Sequence, residues 1–213
     1  MSTASPANEE AILAWNSVLF DKWVRFRAQV TEGLGVHGAA ALALHPPASG
    51  ARVLDLGCGF GDTTLELARR VGPSGAAAGI DAAERFIEAG RTEAAAAGLH
   101  NVRLFAGDVE TADLGGPYDY VFARFGTMFF ASPVRALRNV RRALRPGAAL
   151  CIVVWRAKQH NEWAYRVEDA VIELLGHPEN SDEPTCGPGP FSMASADVTS
   201  DILVAAGFTQ IAF

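Results

Sequence analysis

Arg52-Val53-Leu54-Asp55-Leu56-Gly57-Cys58-Gly59-Phe60-Gly61-Asp62-Thr63-Thr64 decides the fold of this chain. Its apolar run, Val53-Leu54-Asp55-Leu56, suits a strand buried on both faces. The run breaks into Gly57-x-Gly59-x-Gly61, and a helical pattern begins at once. Leu65, Ala68 and Val71 fall on one face of that helix, with Glu66, Arg69 and Arg70 on the other. Thr63 followed by Glu66 reads as a capping box. The stretch is therefore strand, glycine turn, helix. Glycines let a backbone approach a ligand closely, and a helix start offers unpaired N–H groups at the positive end of its dipole. A tight turn without a ligand would use the same residues, so the context has to decide.

Working outward, a second strand-like run, Ala76-Ala77-Ala78-Gly79-Ile80, ends in Asp81, at the distance where a nucleotide fold places its ribose-binding carboxylate. A third, Val102-Arg103-Leu104-Phe105, leads to Gly107-Asp108. Successive strand ends thus deliver Asp55, Asp81 and Asp108 to one edge of a parallel sheet, where open α/β folds bind ligands. Tyr118-Asp119-Tyr120-Val121-Phe122-Ala123 is a fourth strand, followed by the apolar loop Arg124-Phe125-Gly126-Thr127-Met128-Phe129-Phe130. Residues 149–155 make a fifth strand, and residues 208–213 carry a further strand pattern.

Helices are expected over residues 9 to about 28, 31–44, 83–97, 161–175 and 195–206. One more starts at Ser132-Pro133, turns Val134, Leu137, Val140 and Leu144 inward, and stops at Arg145-Pro146-Gly147. Its arginine row, Arg135, Arg138, Arg142 and Arg145, reads as a solvated face before a phosphate site. The stripe Ile12, Trp15, Leu19, Trp23, Phe26 belongs either to a helix packed on the domain or to a lid whose aromatics wall off a ligand. Residues 1–8 are expected to be unordered, and the Pro-, Gly- and acid-rich segment 176–192 to be a functional surface loop. Strands alternating with helices specify a doubly wound, mostly parallel α/β sheet. Residues 1–48 form a helical lid and residues 49–213 the ligand-binding α/β domain.

A net charge of −6 argues against a nucleic-acid partner. Cys58, Cys151 and Cys186 fit no zinc spacing, so no metal site is expected and the thiols read as reduced, in a cytoplasmic protein. The start of the chain lacks the basic and apolar regions of a signal peptide, and no apolar run is long enough to span a membrane.

Leu54-Asp55-Leu56-Gly57-Cys58-Gly59-Phe60-Gly61 resembles the first motif of class I S-adenosylmethionine-dependent methyltransferases. Gly79-Ile80-Asp81, Ala106-Gly107-Asp108 and Leu144-Arg145-Pro146-Gly147 resemble the later motifs in order and spacing. The loop from Arg124 to Phe130, Trp155-Arg156 and Asn161-Glu162-Trp163 look like the small-molecule branch similar to the enzymes of ubiquinone and menaquinone biosynthesis. The resemblance covers residues 50–213 and implies S-adenosyl-L-methionine as cofactor. By it, Gly57, Gly59 and Gly61 line the methionine part and Asp55 helps hold its amino group. Asp81, with Ala82 beside it, takes the ribose hydroxyls, and Asp108, with Val109, takes the adenine amino group. Arg124 closes the site near the sulfonium. Each carboxylate also has a plainer reading as a helix cap or turn former.

The acceptor implied is a small, largely apolar molecule, methylated on O, C or N, and walled by Trp15, Trp23, Phe125, Met128 and Trp155. Of the histidines 37, 45, 100, 160 and 177, His160 sits best for a base, and no catalytic residue is assigned. Relatives continue into an antiparallel strand that this sequence does not reach, so the expected sheet has an incomplete edge that invites a homodimer. That leaves room for a non-catalytic cofactor-binding module acting through a partner. A NAD(P)-dependent oxidoreductase shares the turn, but its third glycine belongs at position 62, where this chain has Asp62.

Overall fold

The computed structural model describes residues 8–176 and 187–213. Most of the expected unordered start and of the Pro/Gly-rich loop, with His177 and Cys186, lies outside the described residues.

Three helices precede the sheet: α1 (Glu9–Ala14), α2 (Phe20–Arg25) and α3 (Arg27–Leu44). The single helix expected over 9–28 is broken twice. Between α1 and α2 lies a π-helical segment, Trp15–Leu19, with Ser17 at φ −129° and ψ −106°. The cause is local. The Ser17 hydroxyl donates to the Leu13 carbonyl at 2.7 Å, and the Asn16 amide donates to that of Ile12 at 3.0 Å. Both bonds compete with the helix ladder, and such back-bonding bends helices. Phe26, at φ −108° and ψ 23°, makes the second break, so α3 begins four residues before the expected start.

The sheet has five parallel strands in the order β3-β2-β1-β4-β5. They are β1 (Arg52–Leu56), β2 (Ala76–Asp81), β3 (Val102–Ala106), β4 (Tyr118–Arg124) and β5 (Leu144–Val153). The order reverses beside β1, which opens a crevice at the carboxyl ends of β1 and β4. Leu56 pairs with Ile80 on one side and Ala123 on the other, so Gly57 emerges between Asp81 and Arg124.

Alternate residues fill two layers. Leu54, Leu56, Ile80 and Val121 meet Ala136 and Val140 of α6 (Pro133–Ala143). Val53, Tyr120 and Phe122 meet Leu42 of α3 and Leu67 and Val71 of α4 (Asp62–Val71). Val53, Leu54, Leu56, Val121 and Phe122 are fully buried, and each such side chain stabilises by about 1.5–3 kcal/mol. The remaining helices are α5 (Glu84–Ala96), α7 (Glu162–Leu175) and α8 (Ala196–Ala206). No described helix is long and apolar enough to cross a membrane.

Three local expectations are corrected. Gly61 itself is the N-cap of α4, in the left-handed region, and no side chain caps the helix; Thr63 lies buried inside its first turn. Helix α6 ends at Ala143, so Leu144 and Arg145-Pro146-Gly147 belong to the start of β5, where the pairing with β4 slips between Tyr118 and Tyr120. A proline is tolerated there because β5 is an edge strand and the ladder is already irregular. Residues 208–213 form no strand, since Gln210 takes φ 56° and breaks the extended run. In the arginine row, Arg138 donates to the Ala205 carbonyl at 2.8 Å and Arg145 pairs with Asp119, so those two tie elements together.

Candidate active site

The glycine turn leaves β1 with Gly57, Gly59 and Gly61 all at positive φ, 62°, 53° and 82°. Only glycine adopts this region without cost. A Cβ on Gly57 would stand 3.0 Å from Cα of Gly126, so the turn and the loop after β4 are in backbone contact. Gly57 and Gly59 line a cavity of about 870 Å³ at the crevice. Gly61 does not; a Cβ there would meet Leu104 at 3.1 Å, and its task is to seat α4 against β3.

The three acids differ in placement. Asp81 lines the cavity: Oδ2 accepts from the Gly59 N–H and Oδ1 from the Ala83 N–H, both at 2.9 Å. The carboxylate keeps acceptor capacity for a further donor. Burial pushes the Asp81 carboxyl up, opposed by those backbone bonds. Asp108 also lines the cavity; Oδ1 accepts from the Glu110 N–H and Oδ2 from the Asn8 amide, again at 2.9 Å. Asp55 is 1% exposed and lies below the turn, accepting from the Thr64 hydroxyl at 2.7 Å. Burial pushes its carboxyl up to about 7, against the pull of Thr64 and Arg124. Cys58 lines the cavity too, but burial holds its thiol well above the ordinary range, which leaves no thiolate for nucleophilic work.

Aromatic rings make up much of the rest of the lining. Trp15 meets Trp23 at 5.9 Å, Phe86 at 6.3 Å and Phe129 at 5.5 Å between ring centroids. Phe125 stacks on Trp155 at 4.2 Å and 20°, and His37 stands edge-on to both. Phe125 is buried with φ 57°, a strained conformation for a bulky residue. Met128, Ala82, Val109, Arg124 and His160 complete the expected lining residues. Past the undescribed segment the chain returns to this lining: the Gly189 N–H and the Ser192 hydroxyl both donate to the Met128 carbonyl, and Met193 is buried beside Phe125.

Sequence reasoning missed several lining residues. His37 was one histidine among five; with Val30 and Leu34 it repeats every three to four residues on α3, the signal that could have found it. Asn8 falls in the expected unordered start, yet it is 7% exposed and bridges Asp108 and Glu110. Arg27 stacks 4.1 Å over the Phe60 ring and pairs with Glu93 and Asp62, which fastens the start of α3 over the turn. No group of His, Cys, Asp and Glu fit to hold a metal occurs among the described residues.

A family model for the methyltransferase domain matches residues 47–181. The demethylmenaquinone methyltransferase of Staphylococcus aureus is 32% identical over 133 residues, which are 62% of this chain and 50% of that protein. The chain thus spans about half the length of the curated relatives it matches. A solved S-adenosylmethionine-dependent methyltransferase from Aquifex aeolicus superposes with a TM-score of 0.61 at 24% identity, covering 80% of this chain and 78% of that one. A structure from work on conversion of a disulfide bond into a thioacetal group in echinomycin biosynthesis gives 0.57 at 26% identity, covering 78% and 65%.

Proposed function

The chain belongs to the methyltransferase-domain family, and from that membership we propose that it transfers a methyl group from S-adenosyl-L-methionine to a small, largely apolar acceptor. The observation that carries this reading is the pair of acids at neighbouring strand ends, Asp81 and Asp108, in a cavity lined by aromatic rings.

The residues fit the cofactor. Asp81, held to the turn by Gly59, offers its remaining acceptor capacity to the ribose hydroxyls, with Ala82 beside it. Asp108 and Val109 take the adenine end, and Gly57 and Gly59 leave backbone room for the methionine chain. Asp62 opens α4 and is paired with Arg27 at 3.0 Å. An acid at that helix start opposes a pyrophosphate, which disfavours a nicotinamide cofactor, whereas S-adenosylmethionine carries no phosphate.

When bound, the cofactor supplies an electrophilic methyl group on a sulfonium. The protein's task is alignment and exclusion of water. Trp15, Trp23 and Phe129 close one side as a lid, and Phe125, Met128 and Trp155 the other. Their faces favour a cation. Among the described residues, His37 and His160 are the nitrogen bases in the lining, either able to take a proton from an acceptor hydroxyl.

Calorimetric titration with S-adenosylhomocysteine, with NADH in parallel, tests the reading. Micromolar binding of the first, lost in Asp81→Ala and Asp108→Ala, is expected. Binding of NADH alone would overturn it, and cofactor binding without methyl transfer to any acceptor screened would favour a non-catalytic module.

A further inference from the structure

Among the described residues two arginines line the cavity, and they differ in how their charge is met. Arg27 is held by Glu93 and Asp62. Among the described residues, the Arg124 guanidinium makes no hydrogen bond and no ion pair. Its charge reaches Asp55, but that carboxylate lies below the turn, bonded to Thr64.

The chain goes to some length to place this cation. Helix α3 contains Gly33, Gly35 and Gly38, and glycine weakens a helix interior. A Cβ on Gly38 would stand 2.9 Å from Cδ of Arg124 and 3.7 Å from its Nε; one on Gly35 would stand 3.9 Å from Nη1. The two glycines form a notch through which the arginine passes. Directly after it, Phe125 takes its left-handed backbone and stacks on Trp155, with His37 against both rings.

The cavity is therefore polarised. Asp81 and Asp108 mark one end, at β2 and β3; Arg124 marks the other, at β4, beside the flat Phe125–Trp155 wall, where the lining carboxylate of Glu162 is already paired with Arg166 at 3.3 Å. A guanidinium close to a sulfonium is repelled unless an anion comes between them. We propose that Arg124, held in the glycine notch of α3, selects an anionic acceptor, one whose flat ring carries a carboxylate or an ionised hydroxyl. The inference rests on the methyltransferase reading and names the acceptor class of that site. Planar, forked donors suit such oxyanions.

The test compares benzoate and 4-nitrophenolate with nitrobenzene, a neutral ring of similar size, as probes of the full chain by calorimetry, with and without saturating S-adenosylhomocysteine. Wild-type protein is expected to bind at least one of the anions about tenfold more tightly than nitrobenzene. Arg124→Met should remove that preference and leave nitrobenzene unchanged, and Gly38→Ala should reduce it with the arginine still present. Arg124→Lys, which keeps charge without the fork, serves if the methionine variant does not fold, and should retain only part of the preference. Equal binding of anions and nitrobenzene to wild type overturns the proposal. So does a loss in Arg124→Met of S-adenosylhomocysteine affinity with methylthioadenosine affinity unchanged, because the guanidinium would then serve the cofactor's own carboxylate. Absence of S-adenosylhomocysteine binding to wild type would instead strike the methyltransferase reading, and the anion preference would still be decided by the probes alone.

Discussion

The Thr64 hydroxyl donates to Asp55 Oδ2 at 2.7 Å, in a layer sealed beneath the glycine turn. One hydrogen bond does not offset the loss of water, and the Asp55 carboxyl is pushed up to about 7. In the unfolded chain an aspartate titrates near about 3.9. The folded state therefore holds its proton more tightly, and the stability this contributes is fully present below the unfolded value and lost as pH rises towards 7. With about 1.4 kcal/mol per pH unit, the loss amounts to roughly 4 kcal/mol. Asp55→Asn should flatten the fall in melting temperature between pH 4 and pH 7, about the window those two values define. An unchanged slope in the variant would place the titration elsewhere.

Gly126 takes ordinary helical dihedrals, so substitution there tests contact without backbone strain. An added Cβ would stand 3.0 Å from the Leu56 carbonyl oxygen and 3.1 Å from Cα of Gly57. Backbone cannot yield as a side chain can. Gly126→Ala is expected to cost about 1–3 kcal/mol and to weaken S-adenosylhomocysteine by pushing the β4 loop off the turn. Chemical denaturation and calorimetry measure the two effects, and wild-type values for both would mean that the contact is slack.

What the sequence revealed was local chemistry at strand ends. A fully buried run such as Val53-Leu54-Asp55-Leu56 has few readings besides a central parallel strand, and the glycines and acids after such runs must lie at one sheet edge. What it hid depends on partners distant along the chain. Asn8 looks unordered until Asp108 and Glu110, about a hundred residues on, give its amide a place. Residues 208–213 carry a strand pattern, but a pattern does not supply a neighbour to pair with, and Gln210 turns the backbone away. The break at Ser17 has neither proline nor glycine to announce it; it comes from hydroxyl and amide bonds to the preceding turn. The glycines of α3 were visible, but their meaning depends on Arg124 crossing them from another element.

Asn8 joins two acids and a backbone group: its amide donates to Asp108 Oδ2 and Glu110 Oε1, and its carbonyl accepts from the Ala131 N–H at 3.2 Å. Bonds to charged groups contribute about 1.5–3 kcal/mol each, and truncation would leave two buried carboxylates facing one another. Asn8→Ala should loosen α1, raising its hydrogen exchange while the strands stay protected. Unaltered exchange in α1 would show that the aromatic contacts alone hold it.

Trp15 lines the cavity and touches both Phe86, beside Asp81, and Phe129, in the loop after β4, two residues before the break at Ser17. It is only partly buried and stands apart from the two sheet layers, and if it serves as a cover over the site its loss should cost little stability. Trp15→Ala should therefore lower global stability by less than the roughly 2–5 kcal/mol expected for Leu54→Ala in the sheet. It should nevertheless speed release of S-adenosylhomocysteine by about tenfold, since removal of a cover acts mainly on dissociation. Trp15→Phe keeps an apolar ring at the mouth and should restore most of the residence time. Stopped-flow displacement gives the rates and denaturant unfolding the stabilities. A stability loss equal to that of Leu54→Ala, with unaltered release, would make Trp15 a core residue and move the lid to Trp23.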